Sequence, residues 1–231
     1  MIASEQVQWQ DGEQTAELFS LTGEGPAALP PLEQLVALLD AFAAALAAQQ
    51  LTLESVVHQR IWLRDRDLRD TIDGPRRTML GGARRAASSS FFSTSRFRAG
   101  GAVALDLLVQ RSVAGGARRL VDFTPRRRYA WYLMQDGWQH FSGMAEPGET
   151  LGEQFDSACG EIERGLTAEG RGWTAVTQAR LFLERGQGEE GWLRDMLHKR
   201  AGLAADRIAF DWVDSLASTN KHLEIEAVAR P

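Results

Sequence analysis

Apolar and polar positions along the chain follow two periods. Over residues 31–50, Leu32, Leu35, Leu38, Leu39, Phe42 and Leu46 recur at helical spacing and predict an amphipathic helix. Over residues 150–169, Leu151, Phe155, Ala158, Ile162 and Leu166 predict a second, with Thr150 and Glu153 as a capping box at its start. Shorter helices are expected over about 67–80 and 190–200, and Pro75 is expected to break or kink the first of them. Strands are expected at 7–9, 16–21, 55–63, 91–97 and 103–110, and again at 129–135, 138–142, 174–183, 208–213 and 222–229. Asp11-Gly12 and Asp136-Gly137 stand between the first two strands of each set, a strong hairpin signal.

The two sets are one pattern written twice, 120 residues apart. Thr22-Gly23 returns as Ser142-Gly143, Glu33-Gln34 as Glu153-Gln154, Val56, Arg60 and Leu63 as Val176, Arg180 and Leu183, and Leu105-Asp106 as Ile225-Glu226. The unit is far longer than the roughly 20–50 residues of a solenoid repeat. It reads as a duplicated small domain, over 1–114 and 118–231, without net insertion. The joint is expected at 112–119, where Ala114-Gly115-Gly116 is flexible in composition. Each copy reads β-β-α-β-α-β-β. The fold class is α+β: two domains, each a mixed sheet covered on one face by two helices. In the last strand Leu223, Ile225 and Ala227 point one way and His222, Glu224 and Glu226 the other. The carboxylate side must meet water or a neighbouring sheet, so assembly through the open sheet faces is expected.

Composition narrows the function. The chain is 44% apolar and 25% charged, an ordinary globular balance, and no apolar run approaches the roughly 18–20 residues of a membrane span. The first residues show no secretory signal and Cys159 is the sole cysteine, which together point to the cytoplasm. A net charge of −5 argues against nucleic acid as a partner. Arginines cluster at Arg76-Arg77, Arg84-Arg85, Arg118-Arg119 and Arg126-Arg127-Arg128, either as solvated ends or as an anion pocket for a carboxylate. No metal-ligand spacing, phosphate-binding glycine loop or Ser/His/Asp order is present, so neither metal nor cofactor is expected. His140 shares a strand face with Ser142, and His222 shares one with Glu224; were those strands to meet in a cleft, imidazole and carboxylate would make an acid–base pair near neutral pH.

The Ser142-Gly143 strand end, Glu153-Gln154 opening a helix, Trp173-Thr174-Ala175-Val176 leading into a strand, and the terminal Leu223-Glu224-Ile225-Glu226-Ala227-Val228-Ala229 resemble the RidA (YjgF) family of reactive-intermediate deaminases. So, in the first half, do residues 52–57 and 61–65. The resemblance implies a chorismate-mutase-like fold, a homo-oligomer with the trimer favoured, and a ligand site between neighbouring units. It implies hydrolysis of enamines and imines at a site with three parts. These are the backbone of Ser142, Gly143 and Met144, an arginine that holds the substrate carboxylate, and Glu224 positioning a water. At the arginine position this chain has Ser89 in one copy and Ala209 in the other, and Glu224 is matched by Ala104 in the first half. Arg207 by a short slip, Arg84 or Arg85 from the first half, or Arg96 on a strand are the candidates for the missing cation. The expected function is binding, and hydrolysis or tautomerisation, of a small carboxylated imine or enamine in an inter-domain or inter-subunit cleft. The alternatives are a chorismatase-like hydrolase and a non-catalytic binding or assembly protein.

Overall fold

The computed structural model describes residues 2–11, 14–112 and 116–231. The first half contains β1 (Ile2–Asp11), β2 (Gln14–Glu24), α1 (Pro31–Ala47), β3 (Val56–Leu63), α2 (Leu68–Met79), β4 (Ala87–Phe92) and β5 (Val103–Gln110). The second contains β6 (Arg118–Asp122), β7 (Ala130–Gln135), β8 (Trp138–Phe141), α3 (Leu151–Ala168), β9 (Val176–Glu184), α4 (Glu190–Ala201), β10 (Ile208–Val213), β11 (Ser215–Leu216) and β12 (Leu223–Ala229). Among the described residues these strands form two sheets, ordered β1-β2-β5-β3-β4-β11 and β10-β9-β12-β8-β7-β6. Both are mixed: β3 runs parallel to β4 and β9 to β10, and the other pairings are antiparallel. The parallel pairs are bridged by α2 and α4, as a parallel connection requires a crossover.

Each helix pair covers one sheet face. Leu35, Leu38, Phe42 and Leu46 of α1 pack with Leu105, Leu107 and Val109 of β5. Phe155, Ile162 and Leu166 of α3 pack with Leu223, Ile225 and Ala227 of β12. The Thr150–Glu153 capping box forms, with the Glu153 amide donating to Oγ1 of Thr150 at 3.2 Å. The fold is the duplicated α+β arrangement expected from the repeat. No helix among the described residues is long and apolar enough to cross a membrane.

Several local expectations are corrected. The helix containing Pro75 runs unbroken from Leu68 to Met79. The residue before a proline is normally pushed out of helix partly by its own Cβ, and here it is Gly74, which has none. The predicted strand 91–97 starts four residues earlier and ends five earlier, at Ala87–Phe92, because its Ser-rich start carries no apolar alternation. Arg96 therefore sits in a 3-10 turn, Thr94–Arg96. Arg118 and Arg119, placed in the joint, open strand β6. Gly12 of the first predicted turn and Ala114-Gly115 of the joint lie outside the described residues.

The offset of 120 also fails at the hairpins. Asp11 pairs with Gln14 and Gln135 with Trp138, so these turns are 124 residues apart. The second turn is the expected tight one, with Asp136 and Gly137 at φ of 52° and 81°.

The open sheet faces dock on each other within the chain. Phe91 of β4 stacks on Phe182 of β9 with centroids 4.0 Å apart, and Trp62 of β3 closes the cluster at 4.9 Å from Phe91. Strand β11, from the second half, adds to the first sheet by pairing Ser215 with Phe92 and Leu216 with Phe91.

Candidate functional site

Strand β4 and the chain after β8 run side by side across the junction. The Ser88 amide donates to Oγ of Ser142 at 3.0 Å, and the Gly143 amide donates to the Ser88 carbonyl at 3.3 Å. Beside this seam opens a cavity of about 200 Å³ built from both halves. Ile61, Leu63, Ile72 and Phe91 give it an apolar wall; Ser88, Ser89, Ser90, Gly143 and Glu224 give it a polar one. Arg69, Arg76, Arg77, Arg128 and Lys221 line it with only Asp73 and Glu224 as acids.

That imbalance favours an anion, and the partners show which cations are available. Arg76 is 7% exposed; it donates to Asp73 at 2.9 Å and to Gln59 at 3.4 Å, and its buried Nε has no partner. Arg77 meets the same Asp73 at 3.2 Å. The Arg128 side chain is exposed and has no hydrogen-bond or ion-pair partner among the described residues. Lys221 donates to the Ala145 carbonyl. A neighbouring cavity shares the Arg76, Arg77, Arg128 and Tyr129 wall and adds Arg85, Arg126 and Arg127. Those three already have acidic partners, Arg85 and Arg126 sharing Asp122 and Arg127 pairing with Glu146.

Glu224 and Glu226 project from β12 to the same side. Glu224 is 7% exposed, and its Oε1 is buried without a partner. Burial, and then the charge of Glu226, push its carboxyl up to about 8. Burial also opposes ionisation of Glu226. The Arg60 guanidinium outweighs it, donating from Nε at 2.9 and 2.8 Å and from Nη2 at 2.6 Å, and holds Glu226 down at about 2. His58 lies 3.5 Å from Glu226, but burial pushes it down to about 4, so it is neutral at pH 7. Beyond Glu226 lies a polar cavity between the sheets, lined by Thr22, His58, Arg60, Asp106 and Arg180.

Of the residues expected at the site, Ser89, Gly143 and Glu224 line the cavity together. Ser142 braces the seam from just behind it. Met144 does not contribute: it is fully buried on the helix side and exchanges backbone bonds with Ile225 at 2.8 and 3.0 Å. Nor do these amides form a free cradle, because the Ser142 amide donates to the Trp131 carbonyl and the Gly143 amide to that of Ser88. His222 stands before β12 and pairs with Glu184 at 2.8 Å, away from the cavity. His140 is wholly buried against Gln110 at 2.8 Å, and burial pushes it down to about 3. The expected imidazole–carboxylate pair is thus absent from the cavity. Arg207 contacts the Thr177 carbonyl, Arg96 holds Asp106 at 2.5 Å, Arg84 reaches the Met79 carbonyl and Arg85 holds Asp122. None of the four lines the cavity with Glu224. Among the cations that do, Arg76 and Arg77 on α2 and Arg128 before β7 were visible in the sequence only as clusters. Their convergence depends on how the halves dock.

No protein-family model and no curated protein matches the chain. Among solved structures, it is similar to a chorismatase, with a TM-score of 0.62 at 15% identity, over 96% of this chain and 78% of that one. A YjgF/YER057c/UK114-family protein from Mycobacterium tuberculosis aligns at 19% identity and a TM-score of 0.42, covering 50% of this chain and 100% of its own. A YjgF-family protein from Neisseria meningitidis aligns at 30% identity and a TM-score of 0.38, covering 49% of this chain and 94% of its own. The duplicated α+β architecture of this chain is thus chorismatase-like in fold.

Proposed function

We propose that this tandem RidA-like chain binds a small carboxylated metabolite in the cavity between its halves and acts on it by protonation. The observation that carries the reading is the placement of a buried carboxyl, Glu224, whose Oε1 has no hydrogen-bond partner, in a cavity also lined by Arg76, Arg77 and Arg128, with Asp73 the one other acid. Arg76, Arg77 and Arg128 take the part of the absent arginine and hold the carboxylate. A planar guanidinium fork fixes such an anion in orientation.

Neutral Glu224 is a general acid and not, at the outset, a base for water. For an enamine, it gives its proton to the β-carbon. The C=C pair forms the new C–H bond while the nitrogen lone pair forms C=N. Loss of an N–H proton back to the Glu224 carboxylate completes the tautomerisation. Hydrolysis follows when water adds to the C=N carbon and ammonia leaves, so that enamine plus water gives ketone plus ammonia. The test is ammonia release from imino acids generated in situ, with wild type and Glu224→Gln. Release that requires Glu224 supports the reading, and release equal to the uncatalysed rate in both sinks it.

A second reading, a chorismatase-like hydrolase, is favoured by the match to a chorismatase over 96% of the chain. A neutral carboxyl is equally suited to protonating an enol ether. Loss of chorismate absorbance on adding the protein would favour this reading over the first.

A further inference from the structure

The Glu224 cavity shares a wall with a second cavity of about 320 Å³: Arg76, Arg77, Ser88, Arg128 and Tyr129 line both. Past that wall the second cavity is lined by Arg85 from the first half and by Arg126 and Arg127 from the second. Among the described residues no acid lines it.

The carboxylates that meet these six guanidinium groups do not match them in number. Asp73 serves both Arg76 and Arg77, at 2.9 and 3.2 Å. Asp122 serves both Arg85 and Arg126, at 2.5 and 3.3 Å. Arg127 pairs with Glu146, and its second acid, Glu161 at 3.6 Å, is shared with Arg164. Arg128 has no partner among the described residues. One guanidinium of each sharing pair, and Arg128, are thus left without a carboxylate of their own. Water would suffice for exposed arginines, but Arg76 is 7% exposed and its Nε is shut off from solvent without a partner. A buried cation that keeps a spare donor is costly, and an anion completes it. Neutral donors stand on the same wall. The Tyr129 hydroxyl accepts from Arg127 at 3.3 Å, which leaves its own proton to give, and the Ser88 hydroxyl has no partner among the described residues.

We propose that the metabolite of the cleft carries a phosphate as well as a carboxylate, and that the phosphate seats on Arg85, Arg126 and Arg127, next to the carboxylate on Arg76, Arg77 and Arg128. This deepens, and rests on, the reading of the cleft as a carboxylate site, and it names the substrate class as a phosphorylated carboxylic acid. The charges agree: a phosphate monoester carries about −1.5 to −2 at pH 7 and a carboxylate about −1, which together meet the unmatched cations. Phosphate oxygens also accept several N–H donors at once, which suits a ring of guanidinium forks. The phosphate is a handle for binding, and no bond to it is made or broken.

Isothermal titration with glycerate and 3-phosphoglycerate, two probes that differ by the phosphate alone, tests the proposal, with malate as a dicarboxylate of similar reach. Wild type is expected to bind 3-phosphoglycerate about 10- to 100-fold more tightly than glycerate, and more tightly than malate. Two variants remove the seat: Arg126→Ala, where the side chain is 73% exposed and folding is expected to be unaffected, and Arg85→Ala, with a thermal melt to report folding. Each should weaken 3-phosphoglycerate by about 3- to 10-fold and leave glycerate unchanged. Equal binding of glycerate and 3-phosphoglycerate by wild type would overturn the proposal, as would a preference for 3-phosphoglycerate that survives in both variants. Malate bound as tightly as 3-phosphoglycerate would overturn it in favour of a second carboxylate. If inorganic phosphate binds wild type and not Arg126→Ala while glycerate does not bind at all, the carboxylate reading fails and the phosphate seat stands.

Discussion

A Cβ placed on Gly143 would stand 1.7 Å from Oε1 of Glu224 and 2.1 Å from its carboxyl carbon. The glycine is thus needed for close approach: the chain after β8 passes directly over the carboxyl, pinned by the Gly143 amide to Ser88. Gly143→Ala is expected to displace Glu224 and to cost about 1–3 kcal/mol in thermal or denaturant unfolding. A melt identical to wild type would show that the carboxyl is free to move.

The titration of Glu224 should be visible in stability. Its folded-state pKa, about 8, lies above the ordinary 4.5. The native state therefore binds more protons between those values, and stability falls as pH rises through that window. Glu224→Gln has no charge to form, so relative to wild type it should gain on the order of a few kcal/mol between about pH 5 and about pH 9. Glu226 has the opposite sign: its contribution is present above 4.5 and is lost as pH falls toward 2. Denaturant melts across pH for wild type and Glu224→Gln check both arms.

Arg60 and Glu226 tie the halves through a nearly dry ion pair, with side chains 14% and 5% exposed. Arg60→Leu leaves Glu226 charged and buried and is expected to cost about 3–5 kcal/mol. Replacing both partners, Arg60→Leu with Glu226→Leu, should restore most of that loss. A double variant as unstable as the single would show that the cost lies elsewhere, in packing.

The Phe91–Phe182 stack is the apolar counterpart of that tie. Both rings are buried, and Trp62 covers them, so Phe182→Ala is expected to cost about 3–5 kcal/mol. Its effect should fall on ligand binding too, because Phe91 is also a wall of the cavity.

Much of the fold was legible because it is local. The α1 and α3 stripes, the capping box at Thr150 and the Asp136-Gly137 turn each follow from a few neighbouring residues. The alternation of β12 also separated Ile225, in the core, from Glu224 and Glu226 on the open side. The site was legible only in part. Ser89, Gly143 and Glu224 could be nominated by resemblance, and they do meet, although Ser89 lies in one half and the other two in the second. The cations could be nominated only as clusters, either solvated ends or an anion pocket, since Arg76 and Arg128 come together only through docking of two sheets, which no periodicity records. The histidines misled because strand-face spacing does not reveal depth. His140 is sealed beneath the junction, while His222 falls outside the strand and finds Glu184. The 120-residue offset concealed the shorter hairpin arm of the second half for a related reason: it was counted on the segments after the hairpins.

The central claim is that the cleft between the halves holds a carboxylate on Arg76, Arg77 and Arg128. Isothermal titration with pyruvate, a minimal 2-oxo acid, tests it most directly, comparing wild type with Arg76→Ala and Arg128→Ala. Wild type should bind one pyruvate per chain saturably. Each variant should lose about 1.5–3 kcal/mol of affinity, on the order of 10- to 100-fold, and Arg128→Ala should melt as wild type does. Absence of binding in wild type, or equal binding by all three proteins, would contradict the account.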